Sequence, residues 1–452
     1  MNNNYNSDTI CALATGGGIS AIALLRISGD RSIEIVNKVF SKNLTKKESH
    51  TVHFGNIIIN NKIIDEVVIT IFKKNQSFTG EETVEISCHG SKYIQNKILE
   101  ILINNGIRLA NPGEYTMRAF KNGKLDLSQA ESIADLIESE SEAAHKTAIQ
   151  HLRGGFSKKL KLLRQKLIDF ASLIELELDF SEEDVEFANR NQLNNLLNEL
   201  KSEINVLIDS FKLGNVIKNG IPVAILGAPN VGKSTLLNLL LNEDKAIVSD
   251  IAGTTRDSIE DEINIKGYNF RFIDTAGIRK TDDTIENLGI EKTINHADKS
   301  NIIIYLIDAS QNIDNQLNNI EKLSKENQKK IIKVINKIDL NKNFDISTSE
   351  HILISAKENF GTDELKNRIF DFTNLNALDN NNTIVTNQRH YEQLKNTLSE
   401  LKIAIEGLNN GLSGDLLAIN IKQSLFHLGL ITGEVTTDDL LSNIFGKFCI
   451  GK

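Results

Sequence analysis

The amino-acid sequence predicts a multidomain α/β plus α protein, with an α/β nucleotide-binding domain inserted in a helical domain and a separate α/β domain ahead of both. The stretch Ile221–Thr235 reads IPVAILGAPNVGKST, an apolar run that passes through a glycine-bracketed loop into a helix. Residues 8–120 alternate short β-type runs with one clear amphipathic helix, and the segments flanking the central stretch switch to helical periodicity. A chain of 452 residues is too long for one core, and length alone suggests about three domains. The expected boundaries are 1–120 for the first α/β domain, 121–217 and 375–452 for the two helical parts, and 218–374 for the insertion.

Composition narrows the class. Hydrophobic residues make up 40% and charged residues 25%. No apolar run approaches the ~18 residues that cross a bilayer, which predicts no membrane association. The opening MNNNYNSDTI has neither a basic n-region nor an apolar h-region, so a cytoplasmic location is expected. Cys11, Cys88 and Cys449 lack a paired spacing, which argues against a disulfide framework or a zinc site. A net charge of −9 disfavours broad non-specific binding to nucleic acid but leaves room for a local basic patch on a folded RNA.

In chain order, Ala21–Ile27 is mainly apolar, Gly55–Phe72 reads as a hairpin turning at Asn60-Asn61-Lys62, and Val84–Ser87 continues the strands. Lys92–Asn105 carries Ile94, Ile98, Ile101 and Leu102 on one face and is stopped by Gly106. Arg26 and Glu85 interrupt apolar runs, and the residues alone place them as charges on the exposed face of half-buried strands. From Leu125 the period is helical: Ala130, Ile133, Ala134 and Ile137 form one stripe, and Leu160, Leu163, Leu167, Phe170, Ile174 and Leu178 another. Arg153, Lys158, Lys159, Lys161, Arg164 and Lys166 make this part locally basic, as a solvated face or as an RNA contact. Asn374–Asn382 reads as a linker, after which Leu394, Leu398, Leu401, Ile405 and Leu408 restore a helical stripe. Each helical half needs a partner for its stripe, so the two are expected to pack together around an inserted domain.

The insertion carries the chemistry. Val223–Leu226 suits a buried parallel strand, and backbone N–H groups between Gly227 and Gly232 can turn inward around phosphate oxygens. Lys233 would reach the β- and γ-phosphates, Ser234 would ligate Mg²⁺, and the following helix, with Leu236, Leu237, Leu239, Leu240 and Leu241, presents its positive end to the anion. Asp274-Thr275-Ala276-Gly277 follows the strand Phe270–Ile273, placing a carboxylate near the Mg²⁺ shell. Thr255, within Gly253-Thr254-Thr255-Arg256-Asp257, is a second candidate hydroxyl for that ion. Asn336-Lys337-Ile338-Asp339 follows the strand Ile331–Ile335, where Asp339 can accept from N1–H and N2–H₂ of guanine. Adenine offers no such donor pair, which selects GTP over ATP. Ser355-Ala356-Lys357, after the strand His351–Ile354, would close over the base. The residue after Asp274–Gly277 is Ile278, where Ras-type enzymes have a water-orienting Gln, so another group must hold the nucleophile. Asp282, Asp283 and Glu286 are the nearby carboxylates, and each reads equally as surface charge.

These residues, together with LRISG, SFTGEETVEISCHG, NPGEY, KLDLSQAESIADLI, ITGEVTTDDLL and the terminal FCIGK, closely resemble the MnmE (TrmE) family of tRNA-modification GTPases, within the TrmE-Era-EngA-YihA-septin-like class. The resemblance covers essentially the whole chain. It implies an N-terminal domain that binds a tetrahydrofolate derivative (5-formyl or 5,10-methylene type) and dimerises, a discontinuous helical domain and an inserted G domain. By the same resemblance, Arg26, Glu85, Lys124 and Lys452 are the folate-binding positions. The GTP-binding set is Asn230, Val231, Gly232, Lys233, Ser234, Thr235, the loop Ser249, Asp250, Ile251, Ala252, Gly253, Thr254 and Thr255, Asp274 to Gly277, Asn336, Lys337, Asp339 and Ser355 to Lys357. Asn230, Ser249, Ile251 and Thr254 match the potassium site, one K⁺ per G domain, and Glu286 matches the catalytic glutamate. The implied assembly is a homodimer that forms a heterotetramer with the FAD-dependent MnmG and acts on wobble uridine of tRNA. Cys449 is a candidate nucleophile in one-carbon transfer or a small buried hydrophobe, and Gly451 and Lys452 fit a prenylation box poorly. Thr15-Gly16-Gly17-Gly18-Ile19-Ser20 departs from the family in lacking its usual Pro and Arg. The competing class is a ribosome-assembly or regulatory RNA-binding GTPase switch. No KH-type GXXG loop on a helix pair supports it, and folate binding by the N-terminal part would separate the two readings.

Overall fold

The computed structural model describes residues 8–179, 190–245, 261–273, 300–313, 316–317, 330–340, 351–373 and 383–451. The chain divides into two compact units, one drawn from residues 1–137, 149–201 and 393–452, the other from 138–148 and 202–392.

The N-terminal part contains β1 (Ile10–Leu13), β2 (Ile22–Ser28), α1 (Ser32–Asn37), β3 (Thr51–Ile59), β4 (Lys62–Phe72), β5 (Thr83–His89), α2 (Lys92–Asn104), β6 (Arg108–Leu109) and α3 (Glu114–Lys121). The strands form one sheet in the order β3-β4-β5-β2-β1-β6. The hairpin turns on Asn60 and Asn61, both left-handed (φ 48 and 60), the backbone a two-residue type I′ connection requires and Asn tolerates. One sheet face packs Leu25, Ile27, Ile69, Ile71, Val84 and Ile86 against Ile98, Ile101 and Leu102 of α2, so the alternation read from sequence is the division between core and outer face.

Next come α4 (Leu127–Ile137), α5 (Glu142–Leu152), α6 (Gly155–Asp179) and α7 (Arg190–Asn219). The motif KLDLSQ begins α4 with a reciprocal cap: Gln129 N–H donates to Asp126 Oδ1, and Asp126 N–H donates to Gln129 Oε1, each at 3.0 Å. Two hydroxyls, Ser128 and Ser157, also donate to Asp126 Oδ1, which ties α4 to the start of α6.

The second unit contains β7 (Ile221–Gly227), α8 (Lys233–Lys245), β8 (Asp261–Ile265), β9 (Tyr268–Phe272), β10 (Ile302–Asp308), β11 (Lys330–Asn336), β12 (Ile352–Leu353) and α9 (Thr362–Phe372). Its sheet runs β12-β11-β10-β7-β9-β8, parallel except for the β8–β9 pairing. Strands covered on both faces read as continuous apolar runs, as in Ile302–Ile307. Leu236, Leu237, Leu240 and Leu241 of α8 and Leu365 and Ile369 of α9 close the core. The linker expected at 374–382 lies outside the described residues.

The chain ends in α10 (Gln388–Asn409), α11 (Gly414–Thr432) and α12 (Asp438–Phe445). The stripe of α6 and the helix α11, far apart in sequence, pack side by side, with Arg164 of α6 ion-paired to Glu434. Leu441, Ile444 and Phe445 of α12 bury against Leu127 and Ala130 of α4. Among the described residues no helix is long and apolar enough to cross a membrane.

Candidate functional site

β7 delivers the chain to Gly227, and the loop returns to a helix at Lys233. Val231, fully buried, pins the loop to the core beneath it. The Lys233 ammonium lies inside the loop, donating to the carbonyls of Gly227 and Ala228 at 2.8 Å each, and burial lowers its pKa from the usual lysine value. Gly232 (φ 101) admits no side chain, because a Cβ there would collide with the Asn336 amide nitrogen. That amide, 2% exposed, donates to Val231 O at 2.9 Å and accepts from Ala356 N–H at 3.0 Å. One side chain therefore laces the phosphate loop to both base-side segments. Lys337 Nζ adds a bond to Asn230 O at 2.7 Å, and Ser355 Oγ donates to Asp339 Oδ1 at 2.7 Å, orienting the carboxylate.

The structure thus brings Asn230–Thr235 together with Asn336, Lys337, Asp339 and Ser355–Lys357. Ser249 to Thr255, Asp274 to Gly277, Ile278, Asp282, Asp283 and Glu286 lie outside the described residues. Of the residues expected to hold magnesium, Ser234 is described, in the first turn of α8. For potassium the residue would be Asn230, left-handed at φ 59, whose side-chain amide makes no hydrogen bond among the described residues and whose carbonyl oxygen is of the kind that suits a hard cation.

In the N-terminal sheet Arg26 and Glu85 are direct cross-strand partners on β2 and β5. The residue reading placed them as exposed charges; instead their side chains are only 24% and 20% exposed and form an ion pair, Arg26 Nε to Glu85 Oε1 at 2.8 Å. The guanidinium carbon stands 6.0 Å from the Phe78 ring centroid and 5.8 Å from that of Tyr115, whose hydroxyl donates to Arg26 O at 2.7 Å. With Nε committed, the two terminal nitrogens of Arg26 have no partner among the described residues, which leaves the fork that suits a carboxylate. Lys124 Nζ donates to Asn75 O at 2.8 Å, at the start of the loop that carries Phe78. Lys452 is not among the described residues, but its neighbour Gly451 sits so close to Leu13 O on β1 that a Cβ would overlap it. Cys449 is exposed, which corrects the buried-hydrophobe alternative. The terminal stretch is held by Gly113 N–H to Cys449 O at 3.3 Å and by Phe448, which packs on Phe445 with ring centroids 5.6 Å apart.

Sequence reasoning missed two groups. Arg118, 5% exposed, donates to Asp8, Glu81 and Glu114, and Arg108 shares Glu114 with it at 2.7 Å. Burial pushes the Glu114 carboxyl up, but bonds from Arg108, Asn111 N–H and Arg118 outweigh it and hold the group below its ordinary range. The i, i+4 spacing of Glu114 and Arg118 was the available signal. The other is Asp308, the carboxylate that ends the apolar run IIIYLI in β10, just as Asp274 follows an earlier strand.

The family model described as MnmE helical domain matches residues 127–449, and that described as GTP-binding protein TrmE N-terminus matches residues 9–124. The tRNA modification GTPase MnmE of Flavobacterium johnsoniae is 53% identical over 466 residues, covering 99% of this chain and 100% of that relative. Its namesake in Flavobacterium psychrophilum is 54% identical over 98% of this chain and 99% of its own length, and that of Cytophaga hutchinsonii 52% over 99% and 98%. With the loop Asn230–Lys233 laced to Asn336, Lys337 and Ala356, two matching family models and full-length relatives above half identity, the chain belongs to the MnmE (TrmE) family of tRNA-modification GTPases.

Proposed function

We propose that this GTPase, as a cytoplasmic homodimer working with the FAD-dependent MnmG in a heterotetramer, drives formation of a 5-carboxymethylaminomethyl-type group at C5 of uridine 34 in certain tRNAs. The observation that carries the nucleotide part is the lacing of Asn230–Lys233 to Asn336, Lys337 and Ala356, which holds phosphate-binding and base-reading segments in one frame. Asp339 selects guanine, and Lys233 neutralises the terminal phosphates. Ser234 and Thr255 would hold Mg²⁺, and Asn230, Ser249, Ile251 and Thr254 would hold K⁺. When bound, potassium supplies the positive charge that an arginine finger supplies in other GTPases. Glu286 orients the attacking water in place of Ile278. Arg26, whose two terminal nitrogens have no partner among the described residues, is the anchor for a carboxylate of a tetrahydrofolate derivative, and Glu85, Lys124 and Lys452 complete that site.

Mass spectrometry of tRNA nucleosides from cells lacking this protein tests the proposal. Loss of the C5-modified wobble uridine is expected, and an unchanged profile overturns it. GTP turnover should fall by about tenfold or more when K⁺ is replaced by Na⁺ or choline. Equal rates in all three salts would remove the monovalent ion from the mechanism.

A further inference from the structure

β10 carries its chain out of the sheet core at Asp308, a carboxylate only 2% exposed. Its two oxygens are used differently. Oδ1 accepts from Ser310 N–H at 2.9 Å and Ser310 Oγ at 2.7 Å, an Asx turn that a neutral Asn would make as well. Oδ2 accepts from Lys337 Nζ at 2.7 Å, and only this contact calls for a charge. Gln316 clamps the main chain of the same residue, its Oε1 accepting from Asp308 N–H at 3.0 Å and its amide donating to Asp308 O at 3.2 Å.

Lys337 spends a second hydrogen on Asn230 O, at the turn of the phosphate loop. Both ends of that bond are left-handed, Asn230 at φ 59 and Lys337 at φ 65, a backbone state that side-chain ties must hold. We propose that Asp308 is a positioning residue for guanine-nucleotide binding, fixing Lys337 between the base-reading segment and the phosphate loop. This rests on reading Asn336–Asp339 as the guanine site. Asp308 acts through Lys337, keeping that lysine committed to a carbonyl 107 positions away in the chain. Burial raises the Asp308 pKa, but the bonds from Lys337 and Ser310 outweigh it and leave the group below the usual carboxylate range, so it stays charged at neutral pH.

The experiment measures dissociation of a fluorescent GDP analogue and the steady-state KM and kcat for GTP, using the full-length chain. Asp308→Asn should speed dissociation by about tenfold, with the loss falling on KM more than on kcat. Lys337→Gln should do the same. Adding Asp308→Asn to Lys337→Gln should change dissociation less than about twofold, because the partner is already gone. A full further loss in the double variant, or parent-like dissociation from Asp308→Asn, overturns the proposal. If Asp308→Asn fails to fold, Lys337→Gln alone decides, since parent-like dissociation from it has the same meaning. Asp339→Asn, run alongside, should move preference from GTP to XTP. If it does not, the guanine-site reading falls and takes this inference with it; if it does and Asp308→Asn is silent, the inference alone falls.

Discussion

Replacing Lys233 by Ala is expected to abolish tight GTP binding and reduce hydrolysis by about a hundredfold or more. The ammonium is the charge inside a loop whose carbonyls at Gly227 and Ala228 also point at it. Without it, those two oxygens would face the phosphates with no cation between them. Lys233→Arg should rescue poorly, because a planar fork does not fit where a point charge donates to two adjacent carbonyls. Titration with a fluorescent GTP analogue and phosphate-release assays check both variants. Parent-like turnover from Lys233→Ala would place the chemistry elsewhere in the chain.

The largest stability effect should come from Arg118→Ala, which removes the shared cation of Asp8, Glu81 and Glu114. Breaking a buried ion network from one side typically costs about 3–5 kcal/mol, because the remaining charges stay desolvated. Hydrogen exchange in β2 and β5 should report it, since Ser28 Oγ donates to Glu81 Oε2 at 2.7 Å and couples the network to the sheet. The pH dependence follows from the Glu114 carboxyl being depressed in the folded state. Its contribution is present above the unfolded value of about 4.3 and is lost as pH falls through the lower folded value. In Arg118→Ala the depression shrinks, because only Arg108 and Asn111 N–H remain to oppose the burial of the carboxylate. The gap between parent and variant should therefore narrow toward acid pH, and a gap that stays constant there would show that Arg118 contributes by packing alone.

Much of the fold was legible because it rests on local patterns. The hairpin at Asn60-Asn61, the stop at Gly106, the stripe of α6 and the strand before Gly227 are each set by nearby residues, and the structure has them where periodicity and turn chemistry place them. The strand Ile302–Asp308 was not among the sequence-derived elements, nor was the short β6, which exists only through its pairing with β1. The candidate sites divide the same way. Lys233 and Asp339 sit in contiguous motifs that announce their chemistry. The Arg26–Glu85 pair depends on a strand register that joins residues 59 positions apart, so each looked like an isolated surface charge. Arg118 meets Asp8 and Glu81, and Asp308 meets Lys337, only through tertiary folding.

The packing of α6 against α11 also bears on how the molecule is made. More than two hundred residues separate the end of α6 from the start of α11, so a ribosome needs roughly ten to fifty seconds to supply the second helix after finishing the first. During that interval the α6 stripe of Leu160, Leu163, Leu167 and Phe170 lacks α11, the helix with which α6 packs most extensively, while the P-loop unit between the two helices is being synthesised. Chaperone capture should concentrate on that leucine-rich stretch, and premature termination before residue 414 should yield aggregates.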